Sequence, residues 1–199
     1  PDSANPIVSI EPIGDGTKHL IGYRNGGLFI HDSIRAKTRR CNRQGGGSLV
    51  KALPIDDQDI VFVHEKCITF DYSDRSDLVE LKQKKGQIRN ARVCNGRLAI
   101  VGKDIPLRVF DVKTRNKIYD ANPPKQDWLG ILPECDVMGL DFVDSDRVAT
   151  CSKSDSVIRV YDIKSNKFDP VISVELNQTA FNEYAEAGRF VSVASPVAE

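Results

Sequence analysis

Apolar residues along this chain come in short, strand-length runs, each closed by glycine, proline, asparagine or aspartate. No stretch keeps a helical period. The runs also repeat. Arg97-Leu-Ala-Ile-Val-Gly-Lys-Asp-Ile-Pro-Leu-Arg-Val-Phe-Asp111 returns as Arg147-Val-Ala-Thr-Cys-Ser-Lys-Ser-Asp-Ser-Val-Ile-Arg-Val-Tyr-Asp162. In both, a β-rich run, a polar turn and a second run end in Arg-Val-aromatic-Asp, which describes a hairpin. A weaker copy spans 18–32, where Asn25-Gly26 supplies the positive φ that a tight turn needs. Another spans 59–71.

The closing aspartates, Asp32, Asp71, Asp111 and Asp162, lie 39, 40 and 51 residues apart. A period of about 40–45 residues per four-stranded unit is that of WD-repeat β-propeller blades. The pattern therefore predicts an all-β propeller. Blade one is expected over about 6–53, with 33–47 as a basic, glycine-rich loop between its third and fourth strands. Blade two follows over about 57–82, blade three over 88–121 and blade four over 136–176. The start of a fifth is expected over 180–199. The long interval holds an insertion over 122–133. A seven-bladed ring needs roughly 280–320 residues at this period. Four and a half blades, with no initiator Met, are thus expected to be part of a larger ring. Each closing Asp reads as a turn residue, because its carboxylate can accept backbone N–H bonds where the chain reverses. The aromatic before it is expected to pack between blades. Runs such as Leu98-Ala-Ile-Val101 lack alternation, as strands covered on both faces do.

Charge changes this picture more than composition does. The formal net charge is zero, yet 33–53 carries six basic residues (Arg35, Lys37, Arg39, Arg40, Arg43, Lys51) and no acid. Segment 81–92 carries five (Lys82, Lys84, Lys85, Arg89, Arg92), also without an acid. The rest of the chain is acidic by 11 charges, with 17 basic against 28 acidic residues. Two basic segments on an acidic body suit an anionic partner. Lys82, Lys84, Lys85 and Arg89, with Arg35, Arg39, Arg40 and Arg43, are the candidate RNA-contacting residues. Without interleaved aromatics, such contacts would go to the phosphate backbone. The alternative is that each run is a solvated loop. On this strand assignment the two segments emerge on opposite faces of the propeller.

The five cysteines, Cys41, Cys67, Cys94, Cys135 and Cys151, show no C-x-x-C pair and read as reduced thiols. His19, His31 and His64 are scattered without ligand spacing, so no metal is expected. No G-x-S-x-G, P-loop or G-x-G-x-x-G occurs, so neither a catalytic residue nor a cofactor is assigned. No stretch is long and apolar enough to suggest a membrane span, and no small-molecule substrate is suggested.

The insertion is more specific. Ala121-Asn-Pro is followed by Asp127-Trp-Leu129 and Pro133, and then by Ile158-Arg-Val-Tyr-Asp162. This arrangement resembles the WD-repeat ribosome-assembly factors of the nucleolus, most specifically over 97–176. In that family the Asp-Trp-Leu motif continues into polar residues, whereas here Gly130-Ile-Leu132 follows. The resemblance implies a non-catalytic scaffold in large-subunit biogenesis, bound to pre-ribosomal RNA and assembly proteins in the nucleus and nucleolus. It also implies release by an AAA-type ATPase. Asp127, Trp128 and Leu129 are then candidate partner-binding residues, since Trp is enriched at interface hot spots. The other reading packs the only Trp down on the propeller rim. Two rival functions are a generic WD-repeat adaptor in signalling or ubiquitin ligation, and a propeller hydrolase with its site in the central channel.

Overall fold

The computed structural model describes residues 5–41, 48–56, 59–71, 79–82, 86–125, 128–131, 133–153 and 155–175. They form four antiparallel four-stranded sheets, each ordered by sequence. Blade one is β1 (Ile7–Ile13), β2 (Lys18–Tyr23), β3 (Leu28–Asp32) and β4 (Lys37–Cys41). Blade two is β5 (Leu49–Pro54), β6 (Ile60–His64), β7 (Cys67–Asp71) and β8 (Val79–Lys82). Blade three is β9 (Gln87–Cys94), β10 (Arg97–Lys103), β11 (Ile105–Asp111) and β12 (Lys117–Asp120). Blade four is β13 (Val137–Phe142), β14 (Arg147–Ser152), β15 (Val157–Asp162) and β16 (Ile172–Glu175). The expected fifth unit over 180–199 lies outside the described residues.

The first strands β1, β5, β9 and β13 pack side by side, so they are the inner strands. This corrects one boundary. The run 48–53, assigned above to blade one, is the inner strand of blade two and pairs with Ile60–His64. Blade one instead closes with the basic strand β4, which pairs with β3 from Leu28↔Cys41 to Asp32↔Lys37. The physical reason is position. An outer strand borders solvent and can carry Lys37, Arg39 and Arg40, and charge on an edge also discourages pairing with another chain. An inner strand packs against its neighbours in the adjoining blades, and Leu49, Ala52 and Leu53 are buried.

Three apolar clusters hold the blades together, one at each interface. Leu20, Leu28, Leu49 and Phe62 join blades one and two. Val61, Ile68, Phe70, Ile88, Leu98 and Phe110 join two and three. Val101, Leu107, Tyr119, Leu140, Val148 and Tyr161 join three and four. Each fully buried side chain of this size contributes roughly 1.5–3 kcal/mol. Phe70, Phe110 and Tyr161, which precede the closing aspartates, are all buried here. In blade one His31 takes that place and is only half-buried.

Asp32, Asp71, Asp111 and Asp162 each end the third strand of a blade. Asp32 accepts the amides of Ile34 (3.1 Å) and Arg35 (2.9 Å), and Asp111 accepts the amide (2.6 Å) and hydroxyl (2.8 Å) of Thr114. Asp162 accepts the amide of Lys164 at 3.0 Å. Bonds of this kind hold the Asp32 and Asp111 carboxyls below the usual carboxylate value, chiefly through the amides of Arg35 and Thr114. Asp144 is lowered chiefly through the amide of Asp146, and Asp146 through the amine of Lys164. Their folded values lie below the unfolded value of about 3.9, so their stabilisation is present above that pH and lost as pH falls through the folded values. Denaturant midpoints measured against pH should be flat from neutral to about pH 5 and fall progressively below about pH 4. A midpoint unchanged down to pH 2 would count against these turns.

Each inner strand also carries a bulge near its start. Register shifts fall between Ile7 and Ser9, between Leu49 and Lys51, opposite Val101 and Gly102, and between Val137 and Gly139. The extra residues are Val8, Val50, Arg89 and Met138. Blade three alone puts a charge there.

Candidate partner-binding face and its cleft

The strand order gives the propeller two faces. One carries the turns that follow the first and third strands of each blade, including 33–36. The other carries the second-to-third turns and the connectors between blades. Its backbone is tied from blade to blade: Leu49 N–H donates to Arg24 O at 2.9 Å, Ile88 to Glu65 at 2.7 Å and Asp104 to Cys135 at 2.8 Å.

The blade three–four connector lies on this second face, and both its stems are pinned. Ala121 N–H donates to Leu107 O and Asn122 N–H to Phe168 O, each at 2.9 Å. Asn122 Nδ2 donates to Asp169 at 3.0 Å, and Lys125 pairs with Asp169 at 3.6 Å. On the return, Asp136 bridges Lys103 and its carboxylate lies 3.6 Å from Arg89. Between these stems Trp128 is 90 % exposed, with Leu129 at 60 % and Ile131 at 59 %. The connector therefore does not lay its Trp on the rim. Gly130 turns the tip with φ +76°.

The other sequence-predicted residues divide between the faces. Arg89 is the bulged residue of β9 on the connector face, and Lys82 ends β8 where the blade two–three connector begins. Arg35 lies in the 33–36 turn on the opposite face. Arg39 and Arg40 are exposed on β4, so part of the basic segment expected to be a loop is outer strand. Arg43, Lys84, Lys85 and Asp127 lie outside the described residues.

Two groupings were not read from the sequence. The first is ionic. Glu11, Arg92 and Asp141 sit at equivalent places in β1, β9 and β13, three residues past each bulge; blade two has Leu53 there and supplies Lys51 instead. Glu11 lies 3.6 Å from Lys51 and 3.5 Å from Arg92. Burial, with Arg92 close by, lowers the Lys51 amine below its usual value, while Glu11 pulls it back up. Glu11 is thus the bridge between two cations. Glu11→Gln should destabilise the protein by roughly 1–3 kcal/mol, because it leaves those cations facing each other partly buried. A denaturant midpoint equal to wild type would show that the bridge contributes nothing.

The second is a cleft of about 430 Å³ between blades three and four. The connector stems wall one side, β14 and β15 form its floor, and 169–170 closes the end. Arg159 is ion-paired with Asp155 at its base. Burial pushes the Tyr161 phenol up to about 12 and, with Asp104 adding to the effect, the Cys135 thiol up to about 11. These groups stay neutral near pH 7, so Cys135 is not an activated nucleophile. Among the described residues no group of three or more His, Cys, Asp or Glu is placed to hold a metal ion.

No family model matches the chain, and no curated protein matches it. Solved structures do. A chain of the mitotic checkpoint complex matches with a TM-score of 0.69 at 14 % identity, over 88 % of this chain and 52 % of that one. The C-terminal WD40 domain of Sif2 matches at 0.63 and 19 % identity, over 86 % and 47 %. U3-55K matches at 0.65 and 7 % identity, over 85 % and 49 %. The fold is an all-β WD40-type β-propeller, with four blades among the described residues. The chain spans about half the length of these solved chains.

Proposed function

We propose that this chain is a non-catalytic interaction scaffold that docks through its blade three–four connector, and that the assembly it serves is a precursor of the large ribosomal subunit. The observation that carries the docking reading is Trp128, 90 % exposed at the tip of a loop whose stems are pinned to two blades. A large side chain held out on a rigid base gives much contact area for little ordering entropy. The ribosomal reading is finer. It rests on the Asn122, Asp127-Trp-Leu129 and Pro133 pattern followed by Arg159-Val-Tyr-Asp162. It brings with it pre-ribosomal RNA and assembly proteins as partners, release by an AAA-type ATPase, and a nucleolar location.

The basic residues fit as secondary contacts to RNA backbone. Arg89 and the end of β8 share the connector face with Trp128, while Arg39 and Arg40 offer a separate basic rim on blade one. The inner strands favour a scaffold over a hydrolase, since Glu11 is ion-paired with both Lys51 and Arg92. The test is affinity capture of the tagged full-length protein with sequencing of the RNA that comes with it. Large-subunit precursor RNA should co-purify, and progressively less of it as salt rises. Capture of signalling or ubiquitin-ligase components with no ribosomal precursor would replace this reading with the generic adaptor.

A further inference from the structure

Basic charge on the outer strand of blade one is left unanswered, and a hydroxyl stands in the middle of it. Among the described residues no carboxylate is ion-paired with Lys37, Arg39 or Arg40. Thr38 lies exposed between them on β4, with Arg35 three residues before it. No acid occurs from 33 to 53. The other exposed hydroxyls among the described residues differ. Ser33 follows Asp32, Ser145 lies between Asp144 and Asp146, and Ser173 has no base within three residues. Thr114 has basic neighbours, but its hydroxyl donates to the Asp111 carboxylate at 2.8 Å. The Thr38 hydroxyl instead shares a hydrogen bond of 2.9 Å with Nδ1 of His31, its cross-strand partner. Arg40, two residues on, belongs to the same side of the strand. Asp32 opposes Lys37 and so belongs to the other side. The strand can also be presented in extended form. It pairs with β3 alone, and none of Lys37 to Arg40 enters an apolar cluster. Lifting it breaks ladder hydrogen bonds without opening the core.

We infer that Thr38 is a phosphorylation site for a serine/threonine kinase that reads basic residues. Such an enzyme holds an extended segment and meets its guanidinium and ammonium groups with carboxylates of its own. The γ-phosphoryl group of ATP passes to Thr38 Oγ1. Its bond to the bridging oxygen of ADP breaks, the phosphoester bond forms, and a carboxylate of the kinase takes the hydroxyl proton. The product fits where it is made. Its phosphate oxygens meet donors on His31 and Arg40, whereas at Thr114 they would meet the Asp111 carboxylate. The added charge, about −1.5 to −2, offsets most of the charge that Lys37, Arg39 and Arg40 bring to the strand. The site stands apart from the ribosomal reading. Its consequence rests on that reading, because the same rim is the proposed RNA-backbone contact of blade one.

The full chain is incubated with ATP and the catalytic subunit of cyclic-AMP-dependent kinase, which selects arginine three residues before the acceptor. Peptide mass spectrometry should place phosphate on Thr38, and Thr38→Val should lose it. Arg35→Ala should lower kcat/KM at this site by about tenfold or more. Its side chain is 78 % exposed, so the variant should keep its melting temperature. On immobilised heparin, a polyanion that is not RNA, the phosphorylated chain should elute at lower salt than the unmodified chain. No phosphate on Thr38, an Arg35→Ala rate equal to wild type, or identical elution of the two forms would overturn the inference. Phosphorylation with earlier elution, but no ribosomal RNA captured by the unmodified protein, upholds the site and removes the RNA reading. Capture of that RNA by a chain whose Thr38 the kinase leaves unmodified does the reverse.

Discussion

Gly102→Ala is expected to unfold blade three. A Cβ at this position would lie 1.9 Å from the carbonyl oxygen of Gln87 and 2.8 Å from the amide nitrogen of Arg89. Both are backbone atoms of β9, so no side chain can turn away to make room. The equivalent places in the other blades hold Tyr23, His64 and Ser152, each opposite the residue before a bulge. Only in blade three does the neighbouring strand press so close that glycine is required. Relief would mean undoing the bulge that sets Arg89 beside Asp136, along with the pairing of Ile88 and Asn90 beyond it. The cost should exceed about 3 kcal/mol, well above an ordinary substitution. Gly96 is a useful comparison. It has φ +72° and nothing within 4 Å of an added Cβ, so Gly96→Ala pays only for backbone strain, about 1 kcal/mol. Denaturant unfolding of the two variants separates the mechanisms, and equal midpoints would contradict the packing of β9 on β10.

Trp128→Ala should do the opposite, leaving the fold intact and removing the function. At 90 % exposure Trp128 contributes little to the folded core, and its loss should change stability by less than about 0.5 kcal/mol. Anchor residues at the centre of an interface cost 2 kcal/mol or more on truncation, so capture of the partner should weaken by about thirtyfold or more. A parallel melt and quantitative capture of the same preparation keep the two effects apart. A variant that melts early and binds normally would return Trp128 to a structural role.

The readable parts of the sequence were those set by neighbours along the chain. A hairpin needs only two runs and a turn, so the pairing of Arg97↔Asp111 and of Arg147↔Asp162 could be read from one phrase and its repeat. The turn role of Asp32 depends on amides two and three residues away. The unread parts depend on residues far apart. Lys37–Cys41 is basic and looked like loop, because nothing in its own composition says that β3 will offer it an edge. Glu11 and Arg92 meet across 81 residues, and only alignment of the units on their bulges would have matched their positions. The cleft draws on Pro106, on both connector stems and on Pro170, which the fold alone brings together. The insertion was legible as a break in the repeat, but whether its Trp faced solvent was not, because the pinning partners Phe168 and Asp169 follow it by some 40 residues.

Docking through Trp128 can be followed at that residue itself. Since the chain contains one tryptophan, growth on 5-fluorotryptophan labels that position alone. The fluorine resonance of the free protein should show the solvent isotope shift of an exposed indole. In the purified particle it should move, broaden and lose that shift as the ring is covered. A resonance that stays at its free position and keeps its solvent response, while the particle is bound, would contradict the account.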